Sequence, residues 1–161
     1  MQLAHRAGAH VVAAVGSAPR AEGLRAIGAD EIVVDLVDVT VPVFGVLENV
    51  GGPMLAQTLA LVERGGSVQS IGMASGELST IDFEKERRRA GNRRVDVFTI
   101  GTGLGADIAY LASLLERGEL DPQIGWRGKW ERASEAADAL LERRVAGKAV
   151  LVVREGIDSP A

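Results

Sequence analysis

Short apolar runs, each closed by a glycine turn and separated by stretches of helical period, recur along this sequence. That alternation limits the fold more than any other feature. Residues 10–15 (His-Val-Val-Ala-Ala-Val) form an apolar run suited to a buried parallel strand, and Gly16-Ser17 turns the chain. Pro19 opens a predicted helix over 19–27, ended by Gly28. Strands are predicted at 32–34 and 43–47, followed by the turn Asn49-Val50-Gly51-Gly52. Pro53 begins a helix to Arg64 with Leu55, Leu59 and Val62 on one face, and Gly65-Gly66 closes it. Residues 67–71 and 94–100 read as strands, 104–117 and 131–145 as amphipathic helices, and 149–153 as a last strand. Residues 2–7 read as the end of a helix stopped by Gly8. Strands alternating with helices of about a dozen residues imply βαβ units, hence an α/β fold. The expected architecture is Rossmann-like and doubly wound: a mostly parallel sheet with helices on both faces.

The 161 residues suit one domain, placed at 1–154 with a loose tail at 155–161. Cysteine is absent and the only histidines are His5 and His10, which excludes thiolate chemistry and leaves no zinc set. The net charge of −4 argues against nucleic acid as a partner, and no apolar run is long enough to span a membrane. His5 and Arg6 interrupt the opening segment, which does not read as a signal peptide. A cytoplasmic protein is expected.

Three blocks carry a resemblance: "AGAHVVAAVGS…R…LRAIGADEIVVD", "VLENVGGPMLAQTLALVERGGSVQSIG" and "LLERGELDP…ASEAADALLERRVAGKAVLVV". In that order, and over almost the whole chain, they resemble the nucleotide-binding half of medium-chain dehydrogenase/reductase enzymes of the zinc-free, quinone-oxidoreductase-like type. The resemblance implies a nicotinamide cofactor and hydride transfer to a carbonyl, quinone or activated alkene. It also implies that the strand beginning at His10 is the family's second, so that the usual first strand and its glycine-rich phosphate loop are lacking. Residues 147–153 are similar in composition to the entry of a first Rossmann strand, and are expected to insert into the vacant slot, from the same chain or from a partner.

Gly16, Ser17 and Arg20 follow that strand. Enzymes preferring NAD place a carboxylate there for the ribose hydroxyls, and residues 16–20 hold none. A hydroxyl with a guanidinium suits a 2′-phosphate, so the resemblance points to NADPH; a solvated turn is the plain alternative. Asn49 and Gly72 end two strands where the family places the nicotinamide half, although Gly51, Gly52 and Gly72 also suit bare turn geometry. Gly101-Thr102-Gly103-Leu104-Gly105 lacks P-loop spacing and reads as a strand-to-helix turn. The basic stretch 84–94 reads as a solvated helix or loop. His5 and His10 read as structural residues. Trp126 and Trp130 are expected either on a contact surface or against the last helix. Tyr110 falls inside a helix, and no catalytic set stands out.

The strand at 94–100 resembles the family's edge strand, which pairs with its twin, so a homodimer through 94–100 is expected. Three functions fit: an oxidoreductase domain, a non-catalytic dimerisation or interaction module derived from one, and a subunit completed by another polypeptide.

Overall fold

The computed structural model describes residues 1–153, so the tail expected at 155–161 lies outside the described residues. Contacts divide the chain into two compact units: Met1 with Leu3–Leu104, and Gln2 with the chain from Gly105 onward. Every ladder in both is parallel, which excludes an antiparallel or all-helical architecture.

In the first unit, helix α1 (Gln2–Arg6) ends before Gly8, whose φ of +82° suits only glycine. Strand β1 (Val12–Ala14) pairs with β2 (Glu31–Val33) in the register Val12↔Glu31. The segment between them corrects the helix expected at 19–27. It forms two 3-10 turns, Ala18–Ala21 and Arg25–Ile27. Gly23, at φ +74°, breaks the helical path between them, an interruption the apolar spacing conceals.

Strand β3 (Val43–Glu48), helix α2 (Pro53–Leu61), strand β4 (Val62–Ser70), helix α3 (Phe83–Arg89) and strand β5 (Arg94–Val97) follow. Their sheet order is β3-β4-β5. Leu55 and Leu59 of α2 bury against Val62 and Val68 of β4, with Val46, Ile81 and Val95 packed around them. The helix expected to reach Arg64 stops at Leu61, and Gly65-Gly66 does not close it. The pair lies inside β4, where the register jumps from Val43↔Val62 to Gly45↔Ser67. A Cβ on Gly66 would run into the Phe44 carbonyl oxygen, so this bulge needs glycine. Arg89 and Arg93 donate to the carbonyls of Ala60 and Val62, satisfying groups at the carboxyl end of α2. The basic stretch is therefore a structural cap as well as a solvated helix. Among the described residues no ladder joins β1 to β3. The sheet stands as two parallel ladders, as expected of a doubly wound sheet without one interior strand.

The second unit contains α4 (Gly105–Glu116), β6 (Ile124–Lys129) and α5 (Ala133–Leu141), then β7 (Lys148–Val152). Leu114, Ala136 and Ala139 are buried. Strand β7 pairs with β6, which corrects the expectation that 147–153 fills the first-strand slot. Its preferred partner is a strand the apolar pattern does not announce, because glycines and charged residues interrupt it. The glycines allow close approach: a Cβ on Gly125 would strike the Ala146 carbonyl, and one on Gly147 the Gln123 carbonyl. Trp126 is half-buried, with the Arg132 guanidinium 5.3 Å from its ring centroid, while Trp130 is exposed. Arg132 also bonds Glu135, which holds that carboxyl below its ordinary range.

Candidate functional site

Ligands of open α/β sheets bind at the carboxyl ends of the parallel strands. In the first unit those ends are the turns after β1, β3 and β4.

The turn after β1 starts when Val15 N–H donates to the Val33 carbonyl (2.9 Å). Gly16 is exposed, and a Cβ there would meet nothing within 4 Å. Ser17 stands ahead of the 3-10 turn in extended backbone, with no side-chain bond capping it. Its carbonyl accepts from Arg20 N–H (3.0 Å), which places the Arg20 side chain on the same turn, exposed. No carboxylate occurs at 16–20. A depression of about 700 Å³ lies beside these turns, but Ala18, Pro19 and Ile32 line it, and Gly16, Ser17 and Arg20 do not.

The turn after β3 and the loop after β4 are zipped together. Ala74 N–H donates to the Asn49 carbonyl (3.1 Å) and Ser75 N–H to the Val50 carbonyl (2.8 Å). Gly72 approaches so closely that a Cβ on it would lie 2.8 Å from the Asn49 carbonyl oxygen. Asn49 and Gly72 are thus brought together, while Gly16, Ser17 and Arg20 form a separate group.

Glu48, the last residue of β3, fastens this arrangement and was not singled out from the sequence. It is only 3% exposed. One carboxylate oxygen accepts from Val50 N–H (2.7 Å) and Gly51 N–H (3.1 Å), and the other from Gly51 N–H (2.9 Å). Its backbone carbonyl accepts from Ile71 N–H (2.8 Å) and Gly72 N–H (3.3 Å). One residue therefore holds both turns. The available signal is an acid placed directly before an Asn-Val-Gly-Gly turn at the end of an apolar strand.

The two histidines meet at the opposite, amino-terminal side of β1. His5 Nδ1 is 3.7 Å and His10 Nδ1 4.0 Å from Asp30, and His10 Nε2 is 2.7 Å from Glu31. Val11 N–H donates to Asp30 (2.7 Å), and this bond, helped by the histidines, holds the Asp30 carboxyl below its ordinary range. Among the described residues no three side chains converge as metal ligands, and no helix is long and apolar enough to cross a membrane.

A family model described as zinc-binding dehydrogenase matches residues 27–151. Among curated proteins none matches the chain. A solved NAD-dependent alcohol dehydrogenase is 28% identical, with a TM-score of 0.82 over 95% of this chain and 46% of its own. The quinone oxidoreductase of Coxiella burnetii is 24% identical, with a TM-score of 0.79 over 95% of this chain and 48% of its own. The Escherichia coli quinone oxidoreductase complexed with NADPH is 20% identical, with a TM-score of 0.80 over 94% of this chain and 52% of its own. The chain thus spans about half the length of these structures, and the two oxidoreductases, below 25% identity, establish the fold alone. The family label names zinc, but the residues present do not fit a zinc site: the chain has no cysteine, and among the described residues no three candidate ligands converge. Fold, family model and block order agree: the chain belongs to the zinc-binding dehydrogenase family of the medium-chain dehydrogenase/reductase superfamily.

Proposed function

We propose that this chain is the nucleotide-binding part of an NADPH-dependent reductase acting on a carbonyl, quinone or activated alkene. The observation that carries the reading is the turn after β1, a polar, carboxylate-free turn at the carboxyl end of a parallel strand. Gly16 leaves room for backbone approach, and Ser17 and Arg20 would hold the 2′-phosphate, the guanidinium binding its oxygens in pairs. Asn49 and Gly72 would border the nicotinamide half. NADPH, when bound, supplies the hydride. The chain's own residues bind and orient it.

Isothermal calorimetry tests this reading. The expected result is heat with NADPH exceeding that with NADH, and Arg20→Ala should reduce that preference about tenfold, as the loss of a charge-assisted bond implies. No heat at millimolar cofactor would put the second reading ahead: a dimerisation module that kept the architecture. That reading draws on β5, an edge strand with Val97 79% exposed and Phe98 and Ile100 exposed beyond it. In either case we propose a homodimer through residues 94–100, a single domain over 1–154, and a cytoplasmic setting consistent with a sequence free of cysteine.

A further inference from the structure

We propose that Glu48 is the positioning and specificity-determining residue of the turn at Asn49–Gly52, an inference that rests on the cofactor reading above. A glycine-rich turn running into a helix is ordinarily an anion site, because its free N–H groups and the helix dipole favour negative charge. This turn runs into α2, a helix of nine residues, through Gly52 and Pro53. Two of its N–H groups, those of Val50 and Gly51, are already taken. The buried Glu48 carboxylate accepts from Val50 and twice from Gly51, and Pro53 has no N–H to offer. A negative charge belonging to the protein therefore occupies these two amides, and repels a second one.

The Asn49 side chain, by contrast, is exposed and makes no hydrogen bond among the described residues. Its amide offers both donor and acceptor. The turn consequently selects a neutral, hydrogen-bonding portion of the ligand and rejects a pyrophosphate. Glu48 acts through Asn49: the carboxylate fixes Val50 and Gly51, while its backbone carbonyl fixes Ile71 and Gly72 against the Asn49 backbone. Gln would be a poor replacement. Its single oxygen can serve Val50 and keep the longer Gly51 bond (3.1 Å), but its NH2 would replace the nearer Gly51 acceptor and face that N–H, donor against donor.

The test has two arms. Amide hydrogen exchange on the full chain should show Glu48→Gln accelerating Gly51 by about tenfold, with α2 and β4 unchanged. Unaltered exchange at Gly51 overturns the clamp. In a double-mutant cycle with NADPH as the probe, Glu48→Gln should raise Kd in the wild-type background and add nothing in an Asn49→Ala background. Additive costs would show a general structural role and overturn the proposal. A wild-type chain giving no NADPH signal defeats the cofactor reading instead, and the exchange arm alone then decides the clamp. Should the Gln variant fail to fold, Glu48→Asp, which keeps the charge but withdraws the oxygens by one methylene, serves both arms.

Discussion

At the scale of single residues, two carboxylates do different work at opposite ends of the β1–β4 region. Glu48 is buried and spends its charge on the backbone, whereas Asp30 is accessible and gathers Val11 and both histidines. The bond from Val11 holds the Asp30 carboxyl below its ordinary range. Its contribution to stability is therefore present above the unfolded carboxyl's value of about 3.9 and is lost as the pH falls through the lower folded value. Asp30→Asn should flatten the acid limb: Tm measured from about pH 5 down to about pH 3 should decline less steeply than in the wild type. Gly72→Ala would bring a Cβ to 2.8 Å from the Asn49 carbonyl oxygen and force the two turns apart. A destabilisation of about 1–3 kcal/mol in urea unfolding is expected, with weaker NADPH binding. Asn49 and Gly72 were visible in the sequence as residues ending two strands. Glu48 was not, because a lone acid reads as a surface group until burial shows where its oxygens go.

Among the elements, α2 and β4 carry the core of the first unit. Leu59 is buried among Leu55, Val62 and Val68, so Leu59→Ala should cost about 2–5 kcal/mol, seen as a lower urea midpoint with an unchanged slope. Element types were largely legible. The apolar runs of β1, β3 and β4 and the helices α2, α4 and α5 lie where the periodicity puts them. Boundaries were less so. Gly23 converts an expected helix into two 3-10 turns, and Gly65-Gly66 becomes a bulge inside β4. In both places a glycine can end an element or bend it, and at Gly66 the choice depends on Phe44, a neighbour distant in sequence. Strand β6 escaped detection for a related reason. Its glycines and charges hide the alternation, and only the approach of the Ala146 carbonyl to Gly125 and of the Trp126 ring to Gly128 explains why those positions lack a side chain.

For the molecule as a whole, the open side of β5 is the feature that bears on assembly. Phe98 N–H donates inward to Ser70 (2.9 Å), and alternation along a parallel ladder then directs the Val97 N–H outward. Val97→Pro would remove an outward donor without touching the ladder to β4. If the dimer forms through this edge, light scattering should find the variant monomeric with Tm nearly unchanged for the monomer. A wild-type chain that is monomeric at micromolar concentration ends the idea.

What the sequence determined alone was the class of fold, its family and the chemical character of the turns. Apolar period, glycine placement and the lack of acids at 16–20 are local properties, readable without coordinates. What only the tertiary structure decided was which segments pair and which charges are buried. Residues 148–152 could have extended any parallel sheet by composition, and they pair with β6 because glycines there permit two backbones to approach. Glu48 became the fastening of the site because packing excluded water from its carboxylate, leaving the amides of Val50 and Gly51 as its partners.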